Sequence, residues 1–207
     1  MKKFIALIFC LAPLVFTACL FDESCGVEAK SVLVPSATGD FYIDAYEASR
    51  ANATDLTAGT GTSLACNYSK TVPWSNVTYD DARIACLDAG KRLCTKDEWQ
   101  TACGTYFPYG EQYQAGTCHL ATDDMEPGVT GSFSGCKTSS GIYDMSGNVA
   151  EWVEGGFLMG GTYASNSSEG ACSAAKQVHD YLNYVPDISV GFRCCAYASA
   201  IAPETDE

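Results

Sequence analysis

The segment GIYDMSGNVAEWV, Gly141–Val153, carries the most informative pattern in the chain. It gathers two carboxylates, a glycine and an amide into one short turn: Asp144, Gly147, Asn148 and Glu151. Oxygen donors at this spacing can converge on a hard cation such as Ca²⁺. In a second interpretation the segment is only a tight turn, in which Gly147 supplies a positive φ and Asp144 and Asn148 hydrogen-bond their own backbone. The residue types alone leave both interpretations open.

Further motifs surround this segment, and their order along the chain is informative. They are FYIDAYEAS (Phe41–Ser49), GKRLCTKDEWQTACG (Gly90–Gly104), FPYG (Phe107–Gly110), MGGTY (Met159–Tyr163) and GFRCC (Gly191–Cys195). Together they resemble the formylglycine-generating enzyme family, also called the sulfatase-modifying factor domains, and in particular its bacterial lipoprotein members. The resemblance runs from about Phe41 to Ala196. It implies an α+β, C-type-lectin-like fold: a small antiparallel sheet with two helices, rich in loops and stapled by disulfides.

The same resemblance implies a structural calcium site in the segment Gly141–Val153. Its ligands would be the side chain of Asp144, the carbonyls of Gly147 and Val149, and the side chain of Glu151. Hard oxygen ligands without sulfur favour Ca²⁺ over softer ions. We therefore expect Ca²⁺ as the cofactor.

The N-terminus predicts export. Lys2 and Lys3 precede an apolar run, Phe4–Phe16, that is too short for a comfortable transmembrane helix. Ala18 then precedes Cys19 as in a bacterial lipoprotein cleavage box, so we expect lipidation of Cys19 and a membrane anchor in the cell envelope, periplasmic or at the cell surface. The predicted parts are a signal peptide (1–18), a lipidated tether (19–31), the folded domain (32–198) and an acidic tail (199–207).

Cysteine number agrees with an oxidising compartment. The chain has 12 Cys, and removing Cys10 and Cys19 leaves an even number, which predicts complete pairing. We expect Cys118 to pair with Cys136. Cys194 and Cys195 are adjacent on a predicted strand and point to opposite faces, so they should reach different partners.

Two helices and two strands can be placed from local signals. Thr78 caps a helix that Gly90 ends, and Thr95 forms a capping box with Glu98 for a helix that stops at Gly104. Short β-type runs lie at Phe41–Ile43 and Val190–Cys194, and the polar region Asn52–Ser69 is predicted to be a loop fastened by Cys66.

Three large side chains are candidates for the core. Trp99 and Trp152 are expected to be buried pillars rather than ligand platforms. Arg193 is either a surface residue or a buried one that needs a carboxylate, and Glu47 is the candidate partner.

The resemblance also allows the family's chemistry to be checked. Its catalytic members bind copper with two Cys between the Gly-Gly and Gly-Phe-Arg segments, whereas here Ser165 stands at the first position and Cys172 is the only thiol in the interval. Serine cannot replace a thiolate on Cu(I), so copper is not expected. Iron-dependent relatives use His ligands, and this chain has only His119 and His179, which we expect in exposed loops.

Charge and loop composition favour a binding role. The net charge of −13 makes nucleic acid a poor partner. The region before Val190 is rich in the residue types of adaptable recognition surfaces, and the candidate ligand-binding residues are Tyr163, Asn166, His179, Tyr181, Asn183 and Tyr184. We expect a non-catalytic module for a protein or glycan ligand. The alternatives are an ordinary polar loop and an oxidoreductase of the formylglycine-generating or non-haem iron class.

Overall fold

The computed structural model describes residue 25 and residues 30–201. The predicted signal peptide, the lipidation site Cys19 and the tail from residue 202 lie outside the described residues. Within the described ranges there are two α-helices, α1 (Tyr79–Asp88) and α2 (Lys96–Cys103), and ten strands. The strands are β1 (Ser31–Val34), β2 (Phe41–Asp44), β3 (Ser49–Arg50), β4 (Ala65–Cys66), β5 (Arg92–Leu93), β6 (Ala150–Val153), β7 (Phe157–Met159), β8 (Ala175–Gln177), β9 (Val190–Phe192) and β10 (Cys194–Tyr197). Short 3-10 helices occupy Tyr181–Asn183 and Ala198–Ile201.

The first sheet joins the two ends of the described chain. Its order is β1-β2-β10-β5, and every neighbouring pair is antiparallel. Ile43 of β2 lies opposite Val32 on one side and Cys195 on the other. The C-terminal strand is therefore central in this sheet, and the fold closes only when both ends of the domain are in place.

The second sheet contains the informative segment. Its order is β8-β7-β6-β9, with β6 and β9 parallel and the other pairs antiparallel. The run Val190–Cys194, predicted as one strand, is two strands interrupted at Arg193. The prediction was wrong because β9 pairs with β6 while β10 pairs with β2 and β5, so the chain changes sheets at this residue.

Both predicted helices are confirmed with their caps. The Thr78 side chain accepts from the backbone of Asp81, and Thr95 forms the capping box with Glu98. Arg92 reinforces that box by donating to both oxygens of Glu98, at 2.5 and 2.7 Å. The α+β class with two helices is likewise confirmed.

Trp99 and Trp152, which the sequence predicted to be buried, are both fully buried, in different parts of the core. Trp152 packs with α1 and β9 residues, and its indole nitrogen donates to the Val77 carbonyl at 3.2 Å. Trp99 packs with β2 and β7 residues. Its indole nitrogen donates to Glu151 at 2.7 Å, which ties α2 to β6.

All ten cysteines in the described residues are disulfide-bonded. The pairs are Cys25–Cys66, Cys86–Cys194, Cys94–Cys195, Cys103–Cys172 and Cys118–Cys136. The predicted Cys118–Cys136 bridge and the separate partners of the adjacent cysteines are confirmed. Five disulfides indicate that the domain folds in an oxidising compartment. Among the described residues no helix has the length and apolarity needed to cross a bilayer.

Candidate functional site

The segment before β6 is a tight turn in which three residues adopt positive φ. Gly147 has φ of 82°, and Asp144 and Asn148 also adopt positive φ, at 57° and 56°. A side chain at Gly147 would collide with the carbonyl of His119. The turn and its glycine are therefore as predicted.

The polar side chains of the turn reach outward instead of bonding their own backbone. Asp144 Oδ2 accepts from the Gly131 N–H at 2.6 Å. Asn148 Nδ2 donates to Glu47 Oε2 at 2.5 Å, and the Val149 N–H donates to Glu47 Oε1 at 3.1 Å. That part of the turn interpretation was wrong, because buried groups from distant loops supply the partners.

Arg193 is fully buried and forms an ion pair at this turn. Its Nη2 and Nε donate to the two oxygens of Glu151, at 2.6 and 2.7 Å. Nη1 donates to the Asp44 carbonyl at 3.1 Å, and Nη2 also reaches the Tyr143 carbonyl at 2.8 Å. The predicted partner Glu47 was wrong: Glu151 is the carboxylate that meets the planar guanidinium side-on.

Three buried carboxylates share this single guanidinium. Burial, then the neighbouring charge of Asp144, raises the pKa of Glu47 well above its ordinary value. Burial raises the pKa of Asp144 to about 6, although the Gly131 N–H and Arg193 oppose the shift. Burial lowers the pKa of Arg193, but the carboxylates, Glu151 foremost, outweigh it and raise that pKa. Three carboxyl groups thus compete for one guanidinium, which favours the protonated form of Glu47.

The predicted calcium ligands can be compared with this arrangement. Asp144 and Glu151 both lie at the turn, each less than 4% exposed. Both oxygens of Glu151 accept from Arg193 or Trp99, so this predicted Ca²⁺ ligand is also the ion-pair partner of Arg193. In the described part of the chain no group of three or more His, Cys, Asp or Glu side chains is placed to hold a metal ion. The site formed by Asp144, Gly147, Val149 and Glu151 stays a prediction.

A cleft of 470 Å³ opens beside β6 and β9. Its charged and aromatic lining residues are Glu169, Lys176, Tyr184 and Asp187, and Ser165 lies among them. The Ser165 hydroxyl accepts from the Thr162 N–H at 3.0 Å. The cleft is therefore polar at its rim, with apolar strand residues behind it.

The six predicted ligand-binding residues occupy different positions. Tyr184 lines the cleft. Tyr163 is buried and donates its hydroxyl to the Met125 carbonyl at 3.0 Å, while Tyr181 packs edge-on against Tyr79. The remaining three, His179, Asn183 and Asn166, are exposed.

The exposed asparagines have local hydrogen bonds. The Asn166 side chain accepts from the Ser168 and Glu169 backbone, and Asn183 donates to Asp180. Sequence reasoning missed the lining residues Glu169 and Lys176, although both stand in the same Ser- and Asn-rich interval.

The candidate redox residues are not assembled. Cys172 is bonded to Cys103. Ser165, at the position of the family's first copper-binding Cys, lines the cleft. His179 is exposed as expected, but His119 is only 4% exposed, which corrects its predicted place in an exposed loop.

His119 is held by rings and hydrogen bonds from several loops. It stacks between Phe133 and Tyr163, its Nε2 meets Asp124 Oδ2 at 2.8 Å, and its Nδ1 meets Asn148 Oδ1 at 3.1 Å. Its ring therefore packs the loop next to the turn, and the adjacent Cys118 bridge was the signal that this loop is fixed.

Known proteins share this fold and sequence pattern. The chain is 26% identical over 152 residues to "Inactive C-alpha-formylglycine-generating enzyme 2" of Bos taurus, covering 61% of this chain and 50% of that protein. It is 30% identical over 90 residues to hercynine oxygenase of Mycolicibacterium thermoresistibile, covering 39% of this chain and 20% of that protein. The chain thus spans about half or less of these curated relatives.

A solved structure shows the same fold over most of the domain. PvdO from Pseudomonas aeruginosa superposes with a TM-score of 0.56 at 15% identity, covering 81% of this chain and 90% of that one. The family described as sulfatase-modifying factor enzyme 1-like domain matches residues 30–198, nearly the whole described region. The chain belongs to this family.

Proposed function

We propose that this chain is an exported bacterial lipoprotein, anchored through Cys19, whose domain binds a protein or glycan ligand in the cleft without catalysing a reaction. The observation that carries the proposal is the lack of a free thiol pair at the cleft among the described residues. Cys172 is joined to Cys103 in the core, and Ser165 lies in the cleft. A copper site of the kind the family uses needs two soft thiolates held together. The bovine relative is named an inactive enzyme, which supports the same proposal.

The cleft itself supports ligand binding. It combines half-buried Tyr184 with one cationic and two acidic side chains, Lys176, Glu169 and Asp187. A concave site with an aromatic surface and a few polar groups is the usual form of a binding pocket. Its volume of 470 Å³ suits a short peptide side-chain pair or a small saccharide.

A matched pair of variants tests the binding proposal. Ala175 is exposed at the cleft, and Ala37 is exposed in the turn between β1 and β2. We expect Ala175→Trp to abolish binding to any glycan or peptide that the wild type retains on an array, and Ala37→Trp to leave it unchanged. Equal binding by both variants, or no saturable binding by the wild type, would overturn the proposal.

The enzyme alternative is tested on the thiols. The protein is reduced gently, supplied with copper and a Cys-containing sulfatase-type peptide, and analysed by mass spectrometry for oxidation of Cys to an aldehyde. We expect no turnover. Turnover that Cys172→Ser abolishes would restore the oxidoreductase interpretation.

A further inference from the structure

Arg50, at the end of β3, has no counter-ion among the described residues of this strongly acidic chain. Arg83, Arg92 and Arg193 bind Asp80, Glu98 and Glu151, respectively. Arg50 makes no ion pair with any described residue. A half-buried guanidinium without a carboxylate partner loses hydration that no ion pair offsets, so its environment requires an explanation.

The immediate surroundings hold the guanidinium in one orientation. Its Cζ lies 4.6 Å from the ring centroid of Trp74, a buried residue that packs edge-on against Phe192. One face of the planar group is therefore covered by an indole that the core fixes in place. Such stacking orients the edge of the guanidinium and leaves its N–H groups available.

The hydrogen bonds of Arg50 are incomplete. Nε is buried without a partner among the described residues. Nη1 donates to the Ala58 carbonyl at 3.5 Å, which is a long and weak hydrogen bond. Burial lowers the pKa of Arg50, and no neighbouring carboxylate raises it. Unlike Arg193, this side chain is oriented and partly desolvated but unsatisfied.

The polar loop after β3 frames the same edge. Asn52 Oδ1 accepts from the Thr60 and Gly61 backbone at 3.1 Å, so the loop folds back on itself and carries Ala58 over Arg50. The indole and the folded loop therefore hold the cation in place, in contrast to a freely rotating surface side chain.

We propose that the surface formed by Arg50, Trp74 and the 52–61 loop binds a carboxylate through the Nη1–Nη2 edge of the guanidinium. A planar carboxylate matches two parallel N–H donors, as Glu98 does for Arg92 and Glu151 for Arg193. The ligand is either a free small carboxylate or an acidic group on a peptide chain, which share this chemistry. This site is independent of the cleft and of the function proposed for it.

The test follows the arginine side chains directly. In the full-length, disulfide-bonded, ¹⁵N-labelled protein, acetate is titrated at constant ionic strength while the four Nε–Hε NMR signals are recorded. We expect a saturable shift confined to Arg50. Arg50→Lys should weaken acetate binding about tenfold, whereas Arg83→Lys, at the exposed pair with Asp80, should leave it unchanged.

Two outcomes would overturn the proposal. One is a linear shift of similar size in all four signals, which indicates general ion effects. The other is an unchanged acetate affinity in Arg50→Lys. The wild-type titration decides the matter even if that variant does not fold. A second titration with N-acetylglutamate α-amide separates the sources: tighter binding than acetate indicates a peptide acid, and equal binding indicates a free carboxylate.

Discussion

Replacing Glu151 by Gln isolates the buried ion pair with Arg193. The substitution preserves the shape of the side chain and removes its charge. In the native protein three donors converge on the carboxylate, two from Arg193 and one from Trp99, at 2.6 to 2.7 Å. The amide cannot accept from all three, because one of its two acceptor oxygens becomes an NH₂ donor.

The size of the effect follows from burial. Arg193 is 0% and Glu151 1% exposed. Removing one partner of such a pair destabilises by about 3–5 kcal/mol, since the other charge stays buried. In the native protein the Glu151 charge helps to raise the pKa of Glu47 and of Asp144. Its removal ends this repulsion and so partly offsets the loss of stability. We therefore expect about 3 kcal/mol, a large share of the roughly 5–15 kcal/mol of a typical domain.

The assay is urea unfolding at pH 7 with EDTA, disulfides intact, followed by tryptophan fluorescence. Glu154→Gln is the control, because Glu154 is exposed on the same stretch of chain and should change the free energy of unfolding by less than about 0.5 kcal/mol. The m-values of all three proteins should agree, so that the midpoints report stability. A loss below about 1 kcal/mol for Glu151→Gln would refute the assignment of an essential buried pair.

Three further outcomes are expected. The raised pKa of Asp144, about 6 and due chiefly to burial, means that the folded state holds its proton more tightly than the unfolded state. In EDTA, the stability from this group is therefore fully present below about pH 3.8 and is lost, by about 3 kcal/mol in total, as pH rises through about 6. Asp144→Asn should flatten this slope, which calorimetry measures. If Ca²⁺ binds at the turn, millimolar Ca²⁺ raises the Tm of the wild type but not that of Glu151→Gln; equal shifts would reduce the segment to a turn. Removing the Cys103–Cys172 bridge with paired Ala substitutions should destabilise by about 2–4 kcal/mol in urea, and an unchanged midpoint would contradict its presence.

Local signals predicted the local structure well. Thr78 and Thr95 mark the helix starts because a cap depends on groups within three residues, and the helices observed begin directly after them. The alternation of side chains along a strand predicted that Cys194 and Cys195 diverge, and they do. These features need no knowledge of the rest of the fold.

Features decided by distant contacts were less predictable. Glu47 and Glu151 are both buried glutamates near the turn, and only the relative placement of two sheets decides which of them faces Arg193. His119 resembles a loop residue in sequence, yet rings from two other loops enclose it. Lys176 carries no pattern that distinguishes a cleft residue from any exposed lysine on a short strand.

Arg193 interrupts the strand that the sequence predicted at Val190–Cys194, and its buried charge contacts both sheets at this point. It stands between β9 and β10, where the chain leaves one four-stranded sheet and enters the other. Its guanidinium donates to Glu151 in the sheet of β6 and to the Asp44 carbonyl in the sheet of β2. A hydrophobic residue here would pack as well, but it would not fix the angle between the sheets, because dispersion contacts are not directional. We infer that the pair specifies this joint, and amide NMR tests the inference: a variant that replaces both charges with apolar residues should lose the sharp, dispersed amide signals of the β9–β10 crossing. A spectrum unchanged at that crossing would show that packing alone sets the joint.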